Sequence, residues 1–182
     1  VGRPRLIGQL EVDLVDGSRI VIATDAGWKV RSGPVLRNNV YLGEVVDARR
    51  EIPGWDKPGI DDSSWANAVL CASPVGLLQA QPQPPIRITA RFKPVAITEP
   101  KPGVFIFDLG RNFAGWVRLR LRAPAGTAVR IRFGELLRED GSLNPLTSIC
   151  GQIKGRGRNG EPIGGPGAPD YAEQSDLYIA KG

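Results

Sequence analysis

The chain has 182 residues and 41% of them are apolar, which suits one large domain or two small ones with a buried core. Its net charge is +5, and the 19 acidic residues beside 24 basic ones argue against a dedicated nucleic-acid binder. Histidine is absent, which excludes the commonest general base, the commonest metal ligand and any Ser-His-Asp triad, and leaves carboxylates as the groups for catalysis.

Two segments near the start of the chain predict a β-hairpin. Apolar residues alternate with polar ones over residues 10–14 and again over 20–22, and the turn signal Asp16-Gly17 lies between them. Alternation with period 2 on both sides of an Asp-Gly dipeptide is typical of two antiparallel strands joined by a tight turn.

Residues 62–69 hold the one helical pattern of the chain. We expect a short helical turn there with Asp62 or Ser63 as its cap, because these side chains can accept the unpaired N–H groups of a first turn. Asp61 and Asp62 also form an acidic pair, but adjacent side chains point in different directions on most backbones. Capping therefore explains the pair better than catalysis or metal binding does.

Three tryptophans are expected to pack against the fold. Trp55 and Trp65 lie on either side of the acidic pair and are interpreted as apolar anchors, with stacking on a sugar as the alternative. Trp116 follows Gly115, where a bulge could turn the side chain inward, so we expect Trp116 in the core.

Four segments of the second half predict further strands: 86–92, 104–107, 117–121 and 129–133. The last two form a predicted hairpin, and arginines alternate along one of its faces, at positions 118, 120, 122, 130 and 132. That face is either a solvated outer sheet surface, partly neutralised by acidic side chains, or a surface for phosphate or acidic polysaccharide. The terminal SDLYIAKG predicts one more strand, for which the sequence offers no partner.

Many short strands separated by Gly and Pro turns indicate an all-β chain of antiparallel β-sandwich or jelly-roll modules, one partial and one nearly complete. The proline-rich segment 80–87 cannot continue a sheet interior. We therefore predict one domain over residues 1–80 and a second over residues 81–182. The Gly-rich segment 151–171 has the composition of a long surface loop.

Polar residues cluster at the break in FDLGRNFAGWVRLRL, between the predicted strands 104–107 and 117–121. Asp108 and Asn112 are placed to hydrogen-bond the backbone of their own loop. We interpret Asp108, Arg111 and Asn112 as residues of a structural turn, with a ligand contact or an interface contact as the alternatives.

A pair of carboxylates, Glu135 and Glu139, follows the predicted strand 129–133. Two carboxylates about 5–9.5 Å apart across a sugar can hydrolyse a glycosidic bond. The sequence shows no cleft around them, so we predict no catalytic residue, no metal site and no cofactor in this chain.

Four sequence blocks follow one another in a fixed order: NNVYLGEVVDARREIPGWDKPGIDDSSWANA, LLQAQPQPPIRI, KPGVFIFDLGRNFAGWVRLRLRAPAGTAVRIRFGELLREDGSLN and SDLYIAKG. In this combination they resemble the non-catalytic β-sandwich region of bacterial-type α-L-rhamnosidases, glycoside hydrolase family 78, over nearly the whole chain. The usual family turn reads Asp-Phe-Gly-Gln-Asn, and Arg111 departs from that pattern.

The resemblance implies that the chain supports an (α/α)6 barrel, absent here, that carries the catalytic acids. The implied reaction of the parent hydrolase is inverting cleavage of terminal α-L-rhamnose from glycosides and polysaccharides. This chain alone is then an inactive fragment, as its start at Val1 without methionine also suggests. We expect such a fragment to expose unpaired strand edges and to be aggregation-prone. The compartment stays open between cytoplasm, periplasm and secretion, since no signal peptide is recognisable.

Some members of the family bind rhamnose, with calcium, on a jelly-roll module in this region. Asn38, Asn39, Tyr41 and Glu44 match the loop before the DAR strand approximately, and the resemblance implies a carbohydrate-binding role for them. The implied partners are the remaining domains of the parent chain and rhamnose-containing glycans, with no nucleic acid and no membrane. A rhamnose-binding module acting by itself and an unrelated protein-interaction sandwich are the two alternatives.

Overall fold

The computed structural model describes residues 4–40, 42–73, 75–148, 155–156, 159, 162–163 and 175–182. Within these ranges the chain forms fourteen strands and two 3₁₀ helices, Ala48–Arg50 and Pro145–Ser148, so the all-β class is confirmed. The strands are β1 (Gln9–Asp13), β2 (Arg19–Ala23), β3 (Lys29–Val30), β4 (Val35–Asn39), β5 (Gly43–Asp47), β6 (Ala66–Asn67), β7 (Ala96–Lys101), β8 (Val104–Asp108), β9 (Ala128–Arg132), β10 (Leu136–Leu137), β11 (Leu143–Asn144), β12 (Gly155–Arg156), β13 (Pro162–Ile163) and β14 (Ser175–Ile179). No helix in the described ranges is long and apolar enough to cross a membrane.

The chain divides into two compact units, and the division does not follow chain order. The first unit comprises residues 1–33 and 52–83, and the second comprises residues 34–51 and 84–182. The break between Gln83 and Pro84 lies in the proline-rich segment. Residues 34–51, which the predicted boundary groups with the first eighty residues, belong by their contacts to the second unit.

The first unit contains the predicted hairpin, which is confirmed as the antiparallel pair β1–β2. Its turn places Gly17 at φ 83°, a conformation that glycine adopts at little cost. The Asp16 carboxylate accepts hydrogen bonds from both the backbone N–H and the hydroxyl of Ser18. These bonds close the turn locally, which is why the Asp-Gly signal was sufficient to predict it.

The expected helical turn at residues 62–69 is wrong. The segment forms a turn in which the Trp65 N–H donates to the Asp62 carbonyl at 2.9 Å, and Ala66 then enters β6. The capping carboxylate belongs to Asp61, whose Oδ1 accepts the Ser63 N–H at 3.0 Å. Pairing of β6 with β3 extends the backbone where the helix was expected, so a tertiary contact overrides the local pattern.

The second unit is built on a four-stranded sheet of order β4-β5-β14-β9. The strand β14 lies at its centre, parallel to β5 and antiparallel to β9, with Leu177 opposite both Val45 and Arg130. The expectation that this last strand lacks a partner is therefore wrong. Pairing is antiparallel in the other strand pairs of the described residues, in agreement with the predicted antiparallel class.

The predicted hairpin of residues 117–121 with 129–133 is also wrong. Residues 117–121 are not part of a strand, and β9 pairs with β14 instead. The predicted strand at 104–107 is confirmed as β8, but its partner is β7 and not the segment after the break. Residues 86–92 form no strand either. Of the arginine face, only Arg130 and Arg132 lie on a strand.

Part of the Gly-rich segment is described, and it contains the short antiparallel pair β12–β13. The prediction of a long surface loop otherwise concerns residues outside the described ranges.

The best-buried part of the second unit lies where β5 ends and β14 passes it. Asp47, Ala48 and Ala180 are the buried residues there, and we call this region the Asp47 junction; a further buried residue, Ser175, lies beside Gly43 at the start of β5. The Asp47 carboxylate caps the first 3₁₀ helix by accepting the Arg49 N–H, and both of its oxygens accept from the Arg49 guanidinium at 2.8 Å. This two-point geometry orients the arginine as well as neutralising the carboxylate.

Gly43 is the residue that lets β5 approach β14. Its φ is 74°, and a Cβ on this residue would overlap the carbonyl oxygen of Ser175, lie 2.7 Å from its carbonyl carbon and lie 2.9 Å from Asp176 Oδ1. The same Asp176 oxygen accepts the Glu44 N–H at 2.9 Å. A side chain at position 43 would therefore separate the two strands at the start of their pairing.

We predict that Gly43→Ala destabilises the second unit more than Gly103→Ala does. Gly103 has a similar φ of 76° but open space where a Cβ would lie, so its variant should suffer only the left-handed backbone cost of about 1–2 kcal/mol. Urea unfolding of both variants measures the difference, which we expect to exceed about 1 kcal/mol. Equal unfolding midpoints would show that the approach of β5 to β14 is loose.

We predict that Asp47 makes stability pH-dependent at low pH. Hydrogen bonds from the Arg49 side chain hold the pKa of Asp47 below its usual range. A carboxyl with a lowered folded pKa stabilises the fold above its unfolded pKa of about 4, and this stabilisation is lost as the pH falls through the folded value. Asp47→Asn should therefore be less stable at pH 7 and lose less on acidification, whereas the exposed control Asp56→Asn should follow the parent curve. Unfolding midpoints between pH 7 and pH 2 test this, and parallel curves for parent and Asp47→Asn would contradict it.

Candidate functional site

Three of the four residues implied in carbohydrate binding meet on the β4–β5 hairpin. Asn38 lies opposite Glu44 in the register, and its Nδ2 donates to Glu44 Oε2 at 2.8 Å. The Asn39 side chain accepts the Leu42 N–H at 3.2 Å and so shapes the tip. Tyr41 lies outside the described residues. The hairpin thus presents a linked amide and carboxylate, which are groups able to accept and donate to sugar hydroxyls.

The same hairpin does not form a calcium site from its described residues. Calcium takes six to eight oxygen ligands, usually with several carboxylates. The described carboxylates here are those of Glu44, which accepts from Asn38, and Asp176, which accepts the Glu44 N–H. In the described ranges no group of three or more His, Cys, Asp or Glu side chains is arranged to hold a metal ion.

The polar cluster after β8 folds into a turn that opens a pocket. Asp108 Oδ1 accepts the Gly110 N–H at 2.7 Å, and Gly110 takes φ 70°. The Asp108 carbonyl accepts the Val95 N–H at 2.7 Å, and the Val95 side chain lies close beneath Gly110. One carboxylate oxygen of Asp108 therefore bonds the backbone of its own loop, while the second has no partner among the described residues.

Asn112 behaves differently from the expectation. Its side chain does not bond its own loop, and Nδ2 instead donates to Glu135 Oε1 at 3.0 Å, 23 residues away. Glu135 is held in turn by the Thr147 hydroxyl, which accepts the Glu135 N–H at 2.9 Å and donates to the Asn144 carbonyl at 2.8 Å. The loop after β8 and the segment after β9 are joined through these contacts.

The resulting Asp108 pocket has a volume of about 360 Å³ and is lined by Asp108, Gly110, Arg111, Asn112 and Glu135. A smaller apolar hollow of about 120 Å³ adjoins it and shares Arg111 and Asn112 with it. Phe113, Trp116 and Phe133 are among the residues that line this hollow. A polar pocket and an aromatic surface are therefore in direct contact.

Arg111 is fixed by aromatic contact. Its guanidinium carbon lies 4.7 Å from the centre of the Phe92 ring, and Phe92 meets Phe113 with ring centres 5.1 Å apart. A guanidinium over a ring face is held electrostatically while its N–H groups stay available. No ion pair or hydrogen bond to the Arg111 side chain is present within the described residues.

The two carboxylates that the sequence singled out, Glu135 and Glu139, lie in different surroundings. Glu135 lines the pocket, whereas Glu139 lies in the turn between β10 and β11, where Arg138 N–H donates to the Ser142 carbonyl. The two carboxylates are not brought together across a cleft. The structure adds Glu135 to the group around Asp108.

Sequence reasoning missed two features of this site. The Asn112–Glu135 bond joins residues without any shared motif, and nothing in the sequence marks Thr147. The expected burial is wrong for Trp116 and Trp55, which are 63% and 65% exposed, whereas Trp65 is half-buried. Because 117–121 does not pair as a strand, no sheet turns Trp116 inward.

Comparisons with known proteins give a consistent result along the chain. Residues 1–90 match the α-L-rhamnosidase N-terminal domain family, and residues 98–163 match the bacterial α-L-rhamnosidase concanavalin-like domain family. An α-L-rhamnosidase of Streptomyces avermitilis is 42% identical over 142 residues, which is 78% of this chain and 14% of that protein. One from Formosa agariphila is 32% identical over 140 residues, or 77% of this chain and 15% of that protein.

Superposition on solved structures leads to the same family as the sequence comparisons. The α-L-rhamnosidase from Dictyoglumus thermophilum superimposes with a TM-score of 0.77 at 38% identity, over 97% of this chain and 18% of that one. The Streptomyces avermitilis α-L-rhamnosidase in complex with L-rhamnose gives a TM-score of 0.80 at 36% identity, over 97% of this chain and 15% of that one. The chain thus spans about 14–15% of the length of the curated relatives it matches.

We predict that Trp116→Ala changes the free energy of unfolding by no more than about 0.5 kcal/mol, because substitutions of exposed side chains rarely cost more. Leu177→Ala, in the central strand β14, should cost at least about 1 kcal/mol. Thermal unfolding of the two variants beside the parent chain provides the measurement. A loss for Trp116→Ala as large as that for Leu177→Ala would mean that Trp116 is packed in solution.

Proposed function

Because the chain belongs to the bacterial α-L-rhamnosidase family, of which it carries parts of the N-terminal and concanavalin-like domains, we propose that it is a non-catalytic support for a catalytic domain carried elsewhere in its parent protein. The parent is then a glycoside hydrolase that removes terminal α-L-rhamnose from glycosides or polysaccharides. The support is mechanical: the β modules present a surface against which the (α/α)6 barrel packs.

One observation carries this proposal, and it is the open apolar face of the β7–β8 ribbon. Ile97 lies opposite Phe107 in the register, and Phe105 projects from the same face because alternate strand residues share a side. The three side chains are 53–59% exposed. Contiguous exposed apolar surface of this kind usually marks a protein–protein contact. Because of the family membership, we propose that a further domain of the parent chain packs against this surface.

Rhamnose-containing glycans are proposed as a second partner, at the tip of the β4–β5 hairpin. The linked Asn38 and Glu44 side chains support this, together with Asn39, which holds the tip. Calcium for the parent protein would need ligands beyond the described residues, because the hairpin offers too few carboxylates.

We predict that the chain alone releases no nitrophenol from p-nitrophenyl α-L-rhamnoside. The physical reason is that Glu135 and Glu139 do not face one another across a pocket, so no acid and base flank a glycosidic bond. Absorbance after overnight incubation is the measurement. Nitrophenol release that disappears in Glu135→Gln or Glu139→Gln would contradict the support role.

We predict that the chain alone binds the apolar dye ANS and self-associates, and that the catalytic domain of a rhamnosidase relative added in trans suppresses both. Phe105→Asp should weaken that association, while Val15→Asp, in the exposed turn after β1, should not. Gel filtration and dye fluorescence report the result. If the chain is monomeric, binds no ANS and unfolds cooperatively, its apolar faces do not require a further domain to cover them.

A further inference from the structure

The Asp108 pocket holds several polar atoms that no described residue satisfies. One oxygen each of Asp108 and Glu135 is engaged by the hydrogen bonds given above, which leaves the second oxygen of each carboxylate open. The Asn112 carbonyl oxygen and the Arg111 N–H groups are open as well. Acceptors and donors therefore face one space of about 360 Å³, which lies within the range of small-molecule sites.

The charges of the pocket select against anions. Asp108 and Glu135 are carboxylates and Arg111 is the one cation among the lining residues, so the pocket carries a net charge of 1 − 2 = −1. A phosphate, sulfate or uronate would be repelled by the two carboxylates. A neutral ligand with several hydroxyls satisfies both the acceptors and the donors without this repulsion.

The adjoining hollow adds an apolar surface on one side. Trp116 is 63% exposed there, and it lies beside Phe113 and Phe133. The π-face of an indole is electron-rich, and it attracts the polarised C–H groups on one face of a pyranose ring. A large exposed aromatic next to open carboxylate, amide and guanidinium groups is a combination that suits a sugar and not a purely apolar ligand.

We propose that the Asp108 pocket and Trp116 together bind a neutral sugar residue. Its hydroxyls bond Asp108, Arg111, Asn112 and Glu135, and its C–H face lies on Trp116. The site is separate from the hairpin tip at Asn38 and Glu44. Binding at this site does not depend on the support role. Only the choice of L-rhamnose as the first probe rests on the proposed function.

The support under Glu135 makes the site pre-organised. Thr147 fixes the Glu135 backbone and Asn112 fixes its carboxylate, while Phe92 holds Arg111. Side chains that are already oriented lose less conformational entropy when a ligand binds. Binding of a single sugar through these contacts should be weak, with a dissociation constant on the order of millimolar.

The test is saturation-transfer NMR and tryptophan fluorescence on the full chain, with methyl α-L-rhamnoside, its 6-hydroxy analogue methyl α-L-mannoside and galacturonate as probes. We expect saturation of the ring C–H protons for both neutral sugars and none for galacturonate. The fluorescence change should vanish in Trp116→Phe and persist in Trp55→Phe, an equally exposed tryptophan elsewhere in the chain.

Matched carboxylate variants locate the site. Glu135→Gln should weaken the binding reported by Trp116 fluorescence about tenfold through the loss of a charged acceptor, whereas Glu139→Gln should leave it unchanged. Circular dichroism confirms that each variant is folded. Three results overturn the proposal: no binding by the folded parent chain, binding of galacturonate as strong as that of the neutral sugars, or a Trp116 fluorescence response to the neutral sugars that is as strong in Glu135→Gln as in the parent chain. None of these results bears on association with a catalytic domain, so the support role is judged separately.

Discussion

The close approach of β5 to β14 is the constraint on which the second unit depends. Gly43 contacts the Ser175 backbone where a Cβ has no room, and Asp176 then accepts the N–H of the following residue, Glu44. From this point the two strands run parallel to Ile179, opposite Asp47. The strand β14 brings β9 into the same sheet on its other side. One glycine thus joins segments more than 130 positions apart in the sequence.

The Asp47 junction completes this sheet at its other end. The Asp47 carboxylate turns the chain into a 3₁₀ helix and holds Arg49, and Ala48 and Ala180 are buried beside it. Backbone bonds from Gly126 to Ala180 and from Ala180 to Thr127 fix the end of the chain, and Lys181 pairs with Glu51 at 2.6 Å. Because Glu51 and Lys181 are largely exposed, we attribute the stability of this end to the backbone bonds and buried alanines more than to the ion pair.

The apolar face of the β7–β8 ribbon and the Asp108 pocket are the two surfaces to which we assign a function, and they lie on different parts of the ribbon. On the apolar face of the β7–β8 ribbon, Ile97, Phe105 and Phe107 are exposed among the described residues, which suits packing against another domain. The Asp108 pocket is a small concavity at the end of the same ribbon, where the loop after β8 meets the segment after β9. A support domain can in this way bring a sugar-binding surface with it, because the turn that ends a strand is free to carry polar groups.

Features that depend on residues close together in the chain could be predicted from the amino-acid sequence. Alternation and an Asp-Gly turn gave the β1–β2 hairpin, an apolar run gave β8, and the order of the motif blocks gave the family. Such signals act over a few residues, where the period of the strand and the φ of a glycine are decided locally. The hydrogen bond from the Gly110 N–H to Asp108 is local in the same way, because it spans only two residues.

Which segments pair with one another could be seen only in the folded chain. Alternation of apolar and polar residues assigns a side chain to one face of a strand but does not identify the strand that pairs with it. The pattern therefore could not predict that β14 pairs with two strands and that residues 117–121 pair with none. Trp116 stayed exposed as a consequence. The Asn112–Glu135 bond and its support from Thr147 likewise required the loop after β8 to reach the segment after β9. Contacts of this kind depend on the closure of long loops and on backbone complementarity in three dimensions, which no local pattern encodes.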